Sequence, residues 1–317
     1  MKPAERTIWL LAALVLIAVG VFLFGDMGSH WRYILSRRAV KVAAMVISAV
    51  AIGVSTLAFQ TVVQNRILTP GVVGLDSLYL FIQTAATFVG GRYLAALADP
   101  QANFFASLAV MVLFALGLYR LVFGRHLQDV YRLLLVGMVL GTFWGSLTTF
   151  MQVLIDPNEF LQLQGRMFAS PSRVNADLLL PAALLVAGLV ADLVRTHRYL
   201  DVLTLGRDVA MTLGVDYQSQ VRRWLVDIAA LTSVATALIG PMTFLGLIAA
   251  NLGYQLVKHW RHGLLFHAVA LVSVAIVVGG QWAVERVLEF STPLSVVIQL
   301  VGGVYFLFLL TKERVVW

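Results

Sequence analysis

Two histidines three residues apart, His259 and His262 in the run H-W-R-H, have the spacing that puts two imidazoles on one helical face, where they could hold a transition metal. With Lys258 and Arg261 beside them, the expectation is instead a pair of solvated residues at a membrane surface. The chain has no cysteine, so neither a thiolate metal site nor a disulfide framework is available. Gly302-Gly303 lacks the lysine of a phosphate-binding loop and lies in an apolar run, where small residues let helices approach. There is no paired-aspartate motif for prenyl transfer, no G-x-S-x-G nucleophile turn and no H-E-x-x-H. No catalytic residues are expected here, and if energy comes from ATP another chain must bind it.

Ionisable residues are scarce inside the apolar segments. Asp76, Asp192 and Asp227 come nearest, and each is expected at an interface. A proton- or sodium-coupled carrier would more often present a buried acid or a broken helix aimed at an ion. The inventory speaks against secondary transport, which stays open as an alternative beside a non-transporting membrane scaffold.

One polar-flanked stretch interrupts the apolar pattern, Leu200 to Val215, LDVLTLGRDVAMTLGV. Read as a short amphipathic helix, it offers Leu203, Leu205, Val209, Met211 and Leu213 as apolar contacts while Asp201, Arg207 and Asp208 stay polar. Gly206 fits a tight turn and Gly214 a helix C-terminal cap. The stretch has neither the Lys/Arg-rich polar face nor the large aromatics of a membrane-adsorbed helix, so it is expected to meet another protein in water.

These residues must be positioned by membrane helices. Of the 317 residues 60% are hydrophobic and 12% charged, and the mean hydropathy of +0.88 lies far outside the range of soluble domains. The apolar runs are close to the ~20 residues a helix needs to cross the hydrocarbon core. Their continuity, without strand-like alternation, predicts an all-α polytopic bundle and excludes a barrel. Ten segments are expected, at 7–25, 39–60, 72–90, 104–123, 131–155, 174–194, 220–240, 243–256, 264–285 and 294–311, in a single transmembrane domain over 1–317. Pro70, Pro100, Pro157, Pro171, Pro241 and Pro293 fall at or beside segment ends. The eighth segment is short and rich in Gly and Ala. The first apolar run, Ile8 to Phe24, follows Lys2 and Arg6 as in a signal peptide; without a small-residue cleavage site it is read as a retained helix.

With the N-terminus in the cytoplasm, 15 of the 23 Lys and Arg fall in inside loops, among them Lys2, Arg66, Arg125, Arg207, Lys258 and Arg314. This bias places both termini and the loop at about 195–220 in the cytoplasm. The net charge of +7 needs no nucleic-acid partner, since anionic headgroups account for it. Arg32, Arg37, Arg38 and Lys41 crowd one external helix start, either as snorkelling residues or as a docking site for an acidic partner. Arg37-Arg38 lead a helix to Gly53 and Arg222-Arg223 lead another to Gly240-Pro241; five segments separate the two starts, so they enter from opposite sides, as in an inverted repeat.

At Leu200, Leu203, Leu205, Gly206, Ala210, Leu213, Gly214 and Val215, with Asp201 in the usual Asn place, the chain resembles the permease subunits of bacterial ATP-binding-cassette importers for iron-siderophores, haem and cobalamin. The family's R-x-x-R start, Gln and N-P-L-A-x-P run are similar to Arg38, Lys41, Gln60 and Asn65-Arg66-Ile67-Leu68-Thr69-Pro70, with Lys for Arg and N-R-I-L for N-P-L-A. Its G-P-I-x-F-V-G-L resembles Gly240 to Leu247, although Ala250-Asn251 replaces the usual Pro-His pair. Glu285-Arg286-Val287, Ser295 to Ile298 and Gly302 to Phe306 resemble a branch serving catecholate or mixed catecholate siderophores such as petrobactin, anguibactin and vibriobactin.

The resemblance implies a permease of the bacterial inner membrane that carries ferric siderophore by alternating access. It implies a second, related permease, two cytoplasmic ATPases that use ATP and magnesium, and a periplasmic or lipid-anchored binding protein. Leu203, Leu205, Gly206, Arg207, Asp208, Ala210, Leu213 and Gly214 would form the ATPase-coupling helix, and Arg38, Lys41 and Arg286 would dock the binding protein. The fifth and tenth segments would line the path, with Gln60, Asn65, Trp144, Thr148, Met151 and Gln152 as candidates. Ser146 belongs to the same mixed polar surface.

Overall fold

The computed structural model describes residues 3–25, 30–93, 99–122 and 130–312. Lys2, Arg125 and Arg314 of the charge count, and position 123 at the end of the fourth expected segment, lie outside the described residues. Among the described residues the chain is all helical, without a strand. Ten helices correspond to the ten expected segments: α1 (Pro3–Phe24), α2 (Trp31–Val63), α3 (Leu75–Tyr93), α4 (Pro100–Val122), α5 (Val130–Leu154), α7 (Leu179–Arg195), α10 (Tyr217–Ile239), α11 (Leu245–Val257), α12 (His262–Arg286) and α13 (Leu294–Lys312). Three shorter helices join them: α6 (Pro157–Met167), α8 (His197–Leu203) and α9 (Arg207–Thr212).

Burial orders the bundle. α2 is enclosed from Val42 to Val62 and packs on α10, α11 and α12. It packs on α12 as α10 packs on α4, which is the exchange of partners that an inverted repeat produces. Small and hydroxylated residues at the contacts, such as Ala44, Ala49, Ser48 and Ser273, let these helices approach closely. By contrast, α1, α4, α5 and α13 leave Leu16, Leu113, Val153 and Leu300 exposed, as suits lipid or a neighbouring subunit.

Two helices depart from the expected segments for physical reasons. α2 begins at Trp31 rather than 39 and runs 33 residues, about 50 Å at 1.5 Å per residue, so Arg32, Arg37 and Arg38 ride on a turn or two of helix beyond the ~30 Å hydrocarbon core. The second difference is α6, which hydropathy hides because it is a mixed polar helix between Pro157 and Pro171. Asp156 caps it, accepting from the Asn158 N–H at 2.9 Å, and Pro157 occupies its first turn. The short eighth segment is a helix of 13 residues, α11.

Of the expected interfacial acids, Asp76 and Asp227 are placed differently, while Asp192 stays near the end of its helix beside an exposed arginine. Asp227 is buried within α10. Asp192 of α7 binds Arg223 of α10, whose Nε donates to Oδ2 at 2.8 Å. Asp76 lies against Thr243, where two interrupted helices meet.

Candidate functional site

The Leu200 to Val215 stretch is not one helix but two, because Gly206 turns the chain with φ +99° between α8 and α9. A second left-handed glycine, Gly214 with φ +83°, closes α9. Its N–H donates to the Met211 carbonyl at 3.0 Å and that of Val215 to Ala210 at 3.1 Å, the paired bonds of a Schellman cap.

The two helices sort their apolar residues onto opposite faces. Leu200, Leu203 and Ala210 are buried inside the chain. Leu205 and Leu213, each 61% exposed, point outward with Val209 and Met211. Arg207 lies 5.6 Å from the centre of the Tyr217 ring, and Asp208 is exposed in the first turn of α9. Of the eight coupling residues expected from the sequence, Leu203 and Ala210 therefore anchor the segment, Gly206 and Gly214 shape it, Arg207 packs on Tyr217, and Leu205, Asp208 and Leu213 present its surface.

What holds this surface in place was not legible beforehand. His262, only 1% exposed, is not a solvated interface residue: both of its ring nitrogens are engaged. The Asp201 Oδ1 accepts from the His262 backbone N–H and from Nδ1, each at 2.7 Å, while Nε2 meets the Thr61 hydroxyl at 2.8 Å. The ring thus joins α8, α12 and α2. The Gln64 amide adds a bond to the Leu203 carbonyl at 3.2 Å, and Trp224 of α10 donates to Thr196 at 3.1 Å. Burial alone would raise the Asp201 carboxyl, but hydrogen bonds from the His262 side chain and backbone, with the electrostatic pull of His262 and His197, bring it below its ordinary value of 3.8. No group of three or more His, Cys, Asp or Glu suited to a metal occurs among the described residues. Sequence inspection meets both Asp201 and the H-W-R-H run; their 61-residue separation hides the pairing.

Clefts of about 670 and 740 Å³ flank Leu205. Arg66, Tyr254, Lys258 and His259 line the first, with Arg66 stacked 4.5 Å from the Tyr254 ring centre. His197, Arg198, Trp260 and Arg261 line the second. Gln60 and Asn65, expected on the transport path, shape the loop beside the first cleft. Gln60 is buried and donates to the Arg66 carbonyl at 2.7 Å, and the Asn65 side chain accepts from the Ile67 N–H at 2.9 Å.

The α5 candidates divide likewise. Trp144 packs between Phe81 of α3 and Phe114 of α4, with ring centres at 4.8 and 6.0 Å. Thr148 is buried and bonds back to the Trp144 carbonyl at 2.8 Å. Met151 is half-buried, and Gln152 reaches the Met167 sulfur of α6 at 3.4 Å. Ser146, expected on the same surface, stands with Thr142 and Thr149 on the outward face of α5, each hydroxyl bonded to the carbonyl four residues earlier.

At the opposite end of the bundle the expected docking cations are engaged within the chain. Arg38 donates to the Leu23 carbonyl at 3.1 Å and to that of Gly25, tying α2 to the end of α1. Lys41 pairs with Glu285 of α12 at 3.2 Å and lies 5.8 Å from the Phe290 ring centre. Glu285 is held in turn by Gln281 at 2.9 Å. Arg286 is exposed at the end of α12, and Arg37 stacks on Tyr33.

A family model described as the FecCD transport family matches residues 7–312. The chain is 45% identical over 313 residues to the petrobactin import system permease protein YclO of Bacillus subtilis (strain 168), covering 99% of each protein. It is 36% identical over 282 residues to the petrobactin import system permease protein FatC of Bacillus anthracis, covering 89% of this chain and 79% of that protein. A solved metal-chelate type ABC transporter in an inward-facing conformation superposes with a TM-score of 0.83 over 98% of this chain and 99% of its own, at 21% identity, which supports the fold. With a family match spanning nearly its whole length and a relative at 45% identity, the chain belongs to the FecCD transport family.

Proposed function

We propose that this chain is one permease subunit of an ATP-driven importer that carries a ferric siderophore of the petrobactin class inward across the bacterial inner membrane. The 45% identity to a petrobactin import permease, spread over 99% of both chains, carries this reading. The segment from α8 to α9 is the docking surface for a cytoplasmic ATPase. Exposed Leu205, Val209, Met211 and Leu213 supply apolar area to bury, and the His262 tie passes any displacement of that surface to α2 and α12. Its ATPases bind the ATP and magnesium.

Both termini and the coupling segment face the cytoplasm, as the distribution of Lys and Arg favours. A related second permease completes the pathway against the exposed faces of α5 and α13. A periplasmic or lipid-anchored binding protein delivers the cargo to the other end. There Arg286 offers charge, while Arg38 and Lys41 stiffen the platform on which it stands. Path-lining roles for Met151 and Gln152 fit their position near α6.

Reconstitution of the chain with its partner permease, ATPases and binding protein in liposomes tests this. Radiolabelled ferric petrobactin should accumulate only with ATP and the binding protein present. Accumulation that needs neither would reject the reading in favour of secondary transport.

A further inference from the structure

The segment after α6 is fastened at the end of the bundle where Lys41 pairs with Glu285. The Ser170 N–H donates to the Ile239 carbonyl at 3.0 Å and that of Ala169 to the Ser295 hydroxyl at 3.2 Å, so α10 and α13 hold it together. It leads into a 3-10 turn, Pro171–Arg173. From this turn the Arg173 side chain lies across α6 at Gly165, where an added Cβ would stand only 2.6 Å from Cζ. The bare glycine makes the space that the guanidinium fills.

Two clefts join at this arginine. One of about 740 Å³ lies between α2, α6, α12 and the start of α13, with Lys41, Gln281 and Phe290 in its walls. The other, of about 200 Å³, lies between α3, α4, α6 and α10 and takes in Tyr79, Asn103 and Arg166. Gly165, Phe168, Ser170 and Arg173 line both. The described residues of the two walls include three cations and no Asp or Glu. Glu285 answers Lys41, and Asp177, beside the smaller cleft, accepts from Gln101 at 3.4 Å. Among the described residues neither Arg166 nor Arg173 forms a salt bridge. The joined recess therefore carries unanswered positive charge.

Its aromatic wall is held at a cost. Phe290 adopts φ +58° and stays 61% exposed, a conformation that bulky residues rarely take and that gathers where ligands are clamped. A planar guanidinium offers two parallel donors to paired negative oxygens, and a recess of this size with aromatic walls suits a small molecule better than a protein surface. The cargo named above has the matching chemistry. Catecholate oxygens outnumber the charge of ferric iron, so the complex is an anion with aromatic edges.

We infer, resting on that transport reading, that the joined clefts are an entry subsite for the anionic ferric chelate, in which Arg173 receives its negative oxygens while Phe168 and Phe290 flank its rings. Arg173 thereby selects the cargo by charge, and Gly165 sets where the guanidinium sits.

The test measures binding of radiolabelled ferric petrobactin to the full chain in lipid nanodiscs, without ATP or binding protein. Saturable binding is expected, weakened at least about fivefold by Arg173→Gln and also by Gly165→Ala, which keeps the charge but displaces its head. A ferric trihydroxamate, whose ligand charges balance the iron, should not compete. Absence of saturable binding, binding unchanged by Arg173→Gln, or equal competition by the neutral chelate would overturn the proposal. If Arg173→Gln weakens association of the unloaded binding protein and leaves chelate binding intact, the residue serves protein docking and the proposal fails. Charge-selective binding by a chain whose reconstituted complex shows no ATP-dependent uptake would uphold the subsite and reject the transport reading.

Discussion

The two water-facing ends of this bundle use their polar and apolar residues in opposite ways. At the coupling end Asp201 turns inward to His262, Arg223 is paired with Asp192, and the α8–α9 surface presents leucine, valine and methionine beside Asp208. At the other end Lys41 and Glu285 close a pair within the chain, and the exposed residues include Arg32, Arg37 and Arg286. Apolar contacts depend on shape and are insensitive to salt, whereas exposed charges steer encounter and are screened. On the proposed function, one end would suit a partner that stays through the cycle and the other a partner that comes and goes.

The sharpest way to break this contrast is to put charge in place of the exposed leucines of the coupling end. Leu205→Asp combined with Leu213→Asp should lower transport-linked ATP hydrolysis at least tenfold, with membrane insertion intact, since each leucine contributes about 1.5–3 kcal/mol when fully buried; assays of reconstituted complexes read this directly. Removing the support beneath that surface comes next. His262→Ala takes the imidazole away from the Asp201 carboxylate, which keeps only the backbone N–H, and from the Thr61 hydroxyl; it should cost about 1–3 kcal/mol, measured by thermal unfolding, and the coupling ratio should fall in parallel.

The opposite end should respond more mildly and in a salt-dependent manner. Arg286→Glu is expected to weaken association with the binding protein several-fold at low ionic strength and little at high, which a titration at two salt concentrations distinguishes. Lys41→Met, breaking a partly exposed pair, should cost about 1 kcal/mol or less. The smallest effect is the acid limb of the coupling end. Because the Asp201 carboxyl is depressed in the folded chain, its stabilising contribution is complete above 3.8 and is lost as pH falls from there through the folded value. Unfolding curves of wild type and Asp201→Asn should converge below that range; curves that stay parallel would count against the pair.

Much of the architecture was legible because hydropathy is a one-dimensional signal. Ten runs bounded by Pro, Gly and charge correspond to ten helices, and Gly206 and Gly214 announced a turn and a cap that the backbone adopts. α6 escaped because its composition is that of a surface loop, and only its Asp156-Pro157 cap marks it as a helix. Asp76 and His262 escaped for a different reason. Each stands at a segment end, where sequence reads solvent, while the chain folds a second element over it: Thr243 over one, Asp201 over the other. The same limit applies at Trp144, whose neighbours Phe81 and Phe114 come from two other helices.

The length of α2 sets a condition on timing. It carries no proline from Trp31 to Val63, is fastened by Arg38 and Lys41 near one end and meets His262 and the coupling segment through Thr61 and Gln64 at the other. A rod about 50 Å long that tilts by about 5° moves its far tip by about 4 Å. The two mouths of the pathway therefore cannot keep separate clocks: a stroke begun on one side of the membrane arrives at the other as the same event.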